Sequence, residues 1–231
     1  MVATPQAAAL PSEVRALASR LGATSGNTSL SSVTLTQRGT MRDQPASRER
    51  RFRAVQSISL RRPEFEWRAS TGPFGCISVR DAMRDGEADL EVRALGLLRI
   101  AGVRGGAAAA KGEVMRYLAE LAWAPDAILC NPALAWTVVN GQTLRVAAGQ
   151  HLAHGEVELQ LDESGRIGQV LAEDRPRKED SIFVERPWRG RFFDYREHQG
   201  RWLPFAGEVG WVLDGQTFVV WRGILLSWAV V

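Results

Sequence analysis

From Val33 onward the chain alternates apolar and polar positions with a period of two: Val33/Leu35, Phe52/Ala54/Gln56/Ile58/Leu60, Phe65/Trp67/Ala69 and Ile77/Val79. Such alternation predicts strands of a half-buried antiparallel sheet. Turn residues separate the runs at Arg62-Pro63, Thr71-Gly72-Pro73 and Asp85-Gly86, and Leu90/Val92 with residues 97–100 continue the meander. The pattern resumes at residues 135–139, which turn at Asn140-Gly141 into residues 143–147. Val157/Leu159/Leu161 then turn at residues 162–165 into residues 167–172, and residues 182–231 read as long strands carrying Phe192, Tyr195, Trp211, Phe218 and Trp221.

Two stretches break this period. Pro11-Ser12-Glu13, followed by Val14, Leu17, Ala18 and Leu21 and closed by Gly22, has the N-terminal cap, apolar stripe and terminal glycine of a short helix. Residues 24–32 are small and polar and read as a linker. Residues 112–124 predict a second helix that Pro125 stops, because proline lacks an amide hydrogen and clashes with the preceding turn. Residues 102–111 read as a flexible lead-in to it. On that helix Arg116, Glu120 and Trp123 stand at i, i+4 and i+7, whereas Val114, Leu118, Leu121 and Ala122 form an apolar stripe suited to a sheet.

The expected fold is therefore mainly β with two helices (α+β): a single large antiparallel sheet curled as a half barrel or open barrel around the helix at residues 112–124. A two-sheet sandwich is the alternative. Without βαβ alternation a doubly wound nucleotide fold is not expected. Residues 1–32 are read as an N-terminal helix and linker, and residues 33–231 as a single β-rich domain.

Composition narrows the function. With 231 residues and 45% apolar residues the chain can bury a substantial core. Of its 29 basic residues two are lysines, Lys111 and Lys178, and a net charge of +3 is too small to imply a polyanionic partner; no nucleic acid is expected. Eight arginines lie between Arg38 and Arg62, but Asp43 and Glu49 dilute the run and Phe52 is its one aromatic residue, so it reads as a solvated hairpin. Cys76 and Cys130 are too far apart for a zinc knuckle and are expected to be buried thiols. With neither a signal-like start nor eighteen uncharged apolar residues in a row, the chain is expected to be cytoplasmic, with no integral membrane segment.

Several side chains could carry chemistry. Glu120, flanked by Arg116 and Trp123, would be an acid or base inside a closed cavity; on a surface the pair would contribute only about 0.3–0.5 kcal/mol. Alternation from Ile77 and Val79 turns Asp81 inward, as a pocket-mouth carboxylate or a turn cap. Alternation also places Asp194 beside Arg196 on one strand face and Tyr195 on the other. If Phe218 and Val220 face the core, Arg222 faces it with them and needs a partner, for which Glu208 is the nearest candidate. Trp123, Trp188, Trp211 and Trp221 are the candidate cavity walls. His151 and His154, with Glu156 and Glu158, fall between strands rather than on a helix, so no metal is expected. Residues 105–111 lack the Gly-Lys-Ser/Thr ending of a phosphate loop, Gly-x-Ser-x-Gly is absent, and no cofactor is expected.

Four spaced signals occur in order: Arg116-Tyr-Leu-Ala-Glu120-x-x-Trp123-x-Pro125, Pro187-Trp188-x-Gly190-x-Phe192-x-Asp194-Tyr195-Arg196, Gly207-Glu208-Val-x-Trp211, and Trp221-Arg222-Gly223. Together they resemble an uncharacterised bacterial family and cover most of residues 38–228. The resemblance implies an antiparallel sheet wrapped over a helix, similar to the half barrels of lipoprotein and lipid carriers, and brings neither an activity nor a catalytic residue. The alanine-rich residues 105–110 depart from it, since a more acidic segment is expected there. The reading is a protein that binds a small, largely apolar or aromatic molecule between sheet and helix. The alternative is a cofactor-independent lyase or isomerase, with Glu120 and either Tyr195 or a second carboxylate moving protons and Arg116 or Arg222 stabilising negative charge.

Overall fold

The structure is a computed structural model that describes residues 10–25, 31–42, 44, 45 and 47–231. Most of the predicted linker, residues 26–30, lies outside the described residues, as do residues 1–9 and Asp43. The first helix, α1 (Ser12–Arg20), buries Val14, Leu17 and Ala18 against the common core. The chain then runs through β1 (Ser32–Met41), β2 (Arg50–Ser59), β3 (Phe65–Thr71), β4 (Ile77–Arg84), β5 (Glu87–Ala94) and β6 (Leu98–Arg104). Next come α2 (Ala107–Ala119), one 3-10 turn (Glu120–Ala122) and a short third helix, α3 (Ala127–Cys130). The second meander is β7 (Ala135–Asn140), β8 (Thr143–Ala148), β9 (Gly155–Leu161), β10 (Ile167–Glu179), β11 (Ile182–His198), β12 (Arg201–Leu213) and β13 (Gln216–Val230).

Among the described residues these thirteen strands form one antiparallel sheet, ordered β6-β5-β4-β3-β2-β1-β13-β12-β11-β10-β9-β8-β7. Each half meanders outward from the central β1/β13 pair. Because β6 is one edge and β7 the other, the segment joining them has to cross the sheet, and α2 is that crossing. It touches β4 and β5 on one side and β8 to β11 on the other, which fixes the curl of a half barrel. Register shifts between Thr36 and Gln37, Ala172 and Arg175, and Val209 and Gly210 supply local twist for that curvature. Tight turns close the hairpins. Asp85 and Gly86, with φ of 49° and 81°, have the left-handed pair that matches strand twist, as do Asp214 and Gly215.

The helix begins earlier than the pattern predicts. Ala107 to Ala110 are the strongest helix formers available, and they carry α2 past the glycine at 112 rather than leading into it as a flexible segment. Val114, Leu118, Leu121 and Ala122 are all buried, as the apolar stripe requires. Both cysteines are half-buried rather than enclosed. Behind the 3-10 turn, Asp126 accepts two bonds from Arg201 at 3.0 and 2.9 Å and one from the Thr24 amide at 2.7 Å, tying the helical layer to β12. Tyr117 donates to the Ser59 carbonyl at 2.9 Å and accepts from Asn131 at 2.8 Å. These bonds satisfy buried polar groups that would otherwise cost about 1–3 kcal/mol each. No described helix is long and apolar enough to cross a membrane.

Candidate functional site

Between α2 and the inner face of the sheet lies a cavity of about 230 Å³. Its apolar wall is largely aromatic, formed by Trp67, Trp123, Trp188, Phe192 and Trp221. The rings brace one another: Trp123 meets Phe192 edge-on at 5.1 Å and Trp221 at 6.0 Å, and Trp221 stacks on Phe52 at 5.8 Å. Gly223 makes room for the Trp221 indole, because a Cβ there would lie 2.1 Å from the ring. The Trp-Arg-Gly signal thus has a steric cause.

A charge cluster closes the other side. Arg116 donates from Nε to Glu120 at 2.9 Å and from Nη1 to Asp81 at 2.5 Å, and its guanidinium lies over the Phe65 ring at 4.5 Å. Glu120 receives a second bond from Gln56 at 2.5 Å. Both Gln37 and Gln56 occupy inward positions of the β1 and β2 alternation, and Gln37 accepts from the Trp67 indole at 3.4 Å. Burial opposes the charge on Arg116, but Glu120, Asp81 and Glu113 outweigh it and hold the guanidinium proton more tightly than water would.

Two members of the cluster lack an opposite charge at contact distance. Glu113 is one turn before Arg116, and its Oε2 is buried without a hydrogen-bond partner among the described residues. Burial, then the Asp81 charge, push its carboxyl up to about 8, with Arg116 and Arg175 acting against them. Arg175, from β10, donates from Nε to the Gly112 carbonyl at 3.2 Å and stacks over Trp188 at 4.6 Å and Trp211 at 5.4 Å. Burial lowers its affinity for the proton, Glu113 raises it and Arg116 lowers it again, leaving it below the usual arginine range. Two guanidinium groups thus face three carboxyl groups, and a protonated Glu113 makes the count even. The indole N–H of Trp188, also on the cavity wall, is buried without an acceptor among the described residues.

Over residues 1–223 the sequence matches a family of unknown function, DUF6544. The chain belongs to that family. No curated protein matches the sequence. Among solved structures, a LolA superfamily protein from Nitrosomonas europaea is similar with a TM-score of 0.51 at 9% identity, over 93% of this chain and 92% of the other. A putative outer membrane lipoprotein-sorting protein domain from Vibrio parahaemolyticus gives 0.51 at 11% identity, over 94% and 90%. At such identities the likeness shows a shared fold, and the DUF6544 chain takes the half-barrel architecture that its sequence resemblance implied.

Within this DUF6544 chain, Asp81, Arg116, Glu120, Trp123, Trp188 and Trp221 meet at the cavity, and Glu208 touches its wall. The Glu208 carboxylate, however, is taken by Arg222 at 3.0 Å and approached by Arg191 at 3.8 Å. Arg222 is exposed, paired also with Glu49 at 3.5 Å, and is not the inward cation that alternation implied. The register shift opposite Val209 inserts one residue in β13, which turns Trp221 inward and Arg222 outward. Asp194 is exposed and bonds Arg196 at 2.7 and 3.0 Å; its φ of 58° interrupts the strand alternation. Tyr195 spends its hydroxyl on the Ile167 carbonyl at 2.8 Å and does not line the cavity. Trp211 backs Arg175 without lining the cavity. Trp67, Gln37, Gln56, Glu113 and Arg175 join the site although none is among the expected site residues, even where alternation places Gln56 and Trp67 on the inward face. The i, i+3, i+7 spacing of Glu113, Arg116 and Glu120 and the inward glutamines were visible signals, whereas Arg175 follows a bulge at Ala172 that alternation does not reveal.

Proposed function

We propose that the protein binds a small, largely apolar molecule in this cavity and engages a hydrogen-bond-accepting head group, a carboxylate in the simplest case, through Trp188 and Arg175. The observation that carries the reading is that one aromatic enclosure holds an indole N–H with no acceptor and a guanidinium with no carboxylate partner among the described residues. The Trp188 N–H is buried without an acceptor, and Arg175 has no carboxylate within ion-pair reach among the described residues. A buried donor left unpaired costs about 1–3 kcal/mol, which a bound acceptor recovers. Aromatic walls with a few convergent polar groups are the usual make-up of a small-molecule site. The half-barrel likeness to a lipoprotein-sorting domain supports an apolar cargo.

Titration with octanoate and phenylacetate, against octanol and phenylethanol, reads out through intrinsic tryptophan fluorescence. The acids are expected to bind more tightly than the alcohols, and Trp188→Phe, which keeps an aromatic ring while removing the pyrrole ring with its N–H, to weaken the acids by roughly tenfold and the alcohols by less. Equal binding of acids and alcohols would overturn the head-group assignment. Absence of binding by all four probes, with no adduct in the native mass spectrum of the purified chain, would overturn the ligand reading.

One observation favours the second reading, acid/base turnover by a cofactor-independent lyase or isomerase. Glu113 holds its proton to about pH 8 beside Arg116, within the range a general acid needs. Glu120, held by two donors, and Tyr195, bonded elsewhere, are less suited to the role. Turnover that Glu113→Gln abolishes without loss of ligand binding would establish this reading over simple binding.

A further inference from the structure

The outer face of the sheet carries a charge arrangement that the cavity does not use. Arg38, Arg51 and Arg53 occupy exposed positions of β1 and β2, alternating with the buried Gln37, Phe52 and Ala54. Arg38 and Arg53 are direct cross-strand partners, an opposition of like charges that destabilises a sheet. None of the three side chains has a carboxylate partner among the described residues. Arg68 and Arg93 extend the patch, each tied to a single carboxylate, Glu66 at 2.7 Å and Glu91 at 3.0 Å. These arginines line two grooves of about 780 and 540 Å³ that meet at Arg53 and Ser70.

Apolar groups stand beside the arginines and face water. Ile224 and Leu226 lie exposed within the grooves. The β3–β4 and β5–β6 turns border them through Gly72, Gly75 and Gly96, and the Leu95 amide bonds the Cys76 carbonyl at 2.7 Å, so the two turns sit side by side. At their tips Phe74 is fully exposed (109%) and Leu97 nearly so (88%). Apolar side chains at the tips of adjacent turns, rimmed by cations, form the kind of patch that marks an interaction site.

We propose that this outer face docks on an anionic lipid bilayer, with Phe74, Leu95 and Leu97 entering the headgroup layer and Arg38, Arg51 and Arg53 meeting lipid phosphates. Two costs select that partner. Opposed, unpaired arginines need negative charge, and the exposed tips need an apolar medium within a few ångströms of it. A bilayer surface offers both together, whereas a nucleic acid relieves the charges and leaves the leucines in water. The proposal goes beyond the cavity reading and does not depend on what the cavity holds.

Co-sedimentation of the full chain with phosphatidylcholine vesicles, with and without phosphatidylglycerol, tests it. Binding is expected only with the anionic lipid and is expected to fall as salt rises. Arg38→Ala and Arg53→Ala should each lower the partition coefficient roughly fivefold. Phe74→Ser should lower it as well, and circular dichroism melts should show no loss of stability in any of the three variants, because the side chains are exposed and removing Arg38 or Arg53 relieves their opposition. Equal binding to both vesicle types, binding to neither, or unchanged partition of the arginine variants would overturn the proposal. Tighter binding of a single-stranded RNA oligomer than of the vesicles at the same salt would also overturn it, in favour of nucleic acid.

Discussion

Glu113→Gln keeps the shape and donor of a protonated carboxyl while removing its ionisation, so it isolates one charge of the cavity cluster. In the folded chain this carboxyl is pushed from 4.5 up to about 8, first by burial and then by the Asp81 charge. The unfolded chain releases the same proton near an ordinary glutamate value of about 4.3. Between those two values the folded state binds more protons than the unfolded state, so stability must fall as pH rises. The penalty is absent below the unfolded value and complete once the pH passes the folded one. Its slope is at most about 1.4 kcal/mol per pH unit, which amounts to just under about 3 kcal/mol between about pH 5 and pH 7. Asp81, Arg116, Glu120 and Arg175 act on Glu113 and persist in the variant, so the difference between the two stability curves reports chiefly on Glu113. Urea unfolding at several pH values, followed by tryptophan fluorescence, should show the variant gaining on the wild type as pH rises. Parallel curves would mean that water reaches the carboxyl, and the charge count that makes Glu113 neutral would fail.

Other substitutions probe the same geometry. Arg116→Ala leaves Asp81 and Glu120 without their shared cation, and urea unfolding should show a loss of about 3–5 kcal/mol; a loss below about 1 kcal/mol would place the cluster in water. Gly223→Ala forces the Trp221 indole off its seat, so a cost of about 1–3 kcal/mol and a shifted tryptophan emission are expected. Arg222→Ala should leave probe binding unchanged and alter stability by less than about 1 kcal/mol, since its pairs with Glu208 and Glu49 lie at an exposed side chain. For an acidic probe, affinity should fall as pH rises through about 8, because ionised Glu113 then adds negative charge near the head group; a flat profile would separate Glu113 from the ligand.

Much of the fold could be read from local patterns because strand alternation and turn residues are local signals. Residues 33–100 and 135–172 show this, and Asn140-Gly141 marks a hairpin whose turn the Asn140 side chain stabilises by accepting from the Gln142 amide at 2.9 Å. The cavity was less legible. Asp81 faces inward because β4 is regular around it, so alternation finds it. Arg222 and Arg175 follow a register shift and Asp194 is itself left-handed, and one inserted residue reverses every later side chain. The start of α2 was obscured by Gly112, whose helix penalty of about 1 kcal/mol is small against four preceding alanines and a buried setting. Pairing across the sheet is a long-range property, so nothing local announced that β1 would lie beside β13.

That pairing determines where the charges end up. With β1 and β13 at the centre and β6 and β7 at opposite edges, the chain between β6 and β7 has to traverse the concave face. Any polar residue on the sheet-facing side of that traverse is withdrawn from water. An entirely apolar face would serve stability at least as well, since replacing a buried ion pair by packed hydrophobic groups is often neutral or stabilising by about 1–4 kcal/mol. Yet Glu113, Arg116 and Glu120 occupy α2 and its terminal turn, and Asp81, Gln56 and Arg175 meet them from three different strands. Pairing accounts for Arg116, Asp81 and Glu120, but among the described residues it leaves over a Glu113 oxygen, the Gln56 carbonyl oxygen and the Trp188 N–H. Of these, the Trp188 N–H lies on the wall of the aromatic enclosure, where the proposed head group would satisfy it.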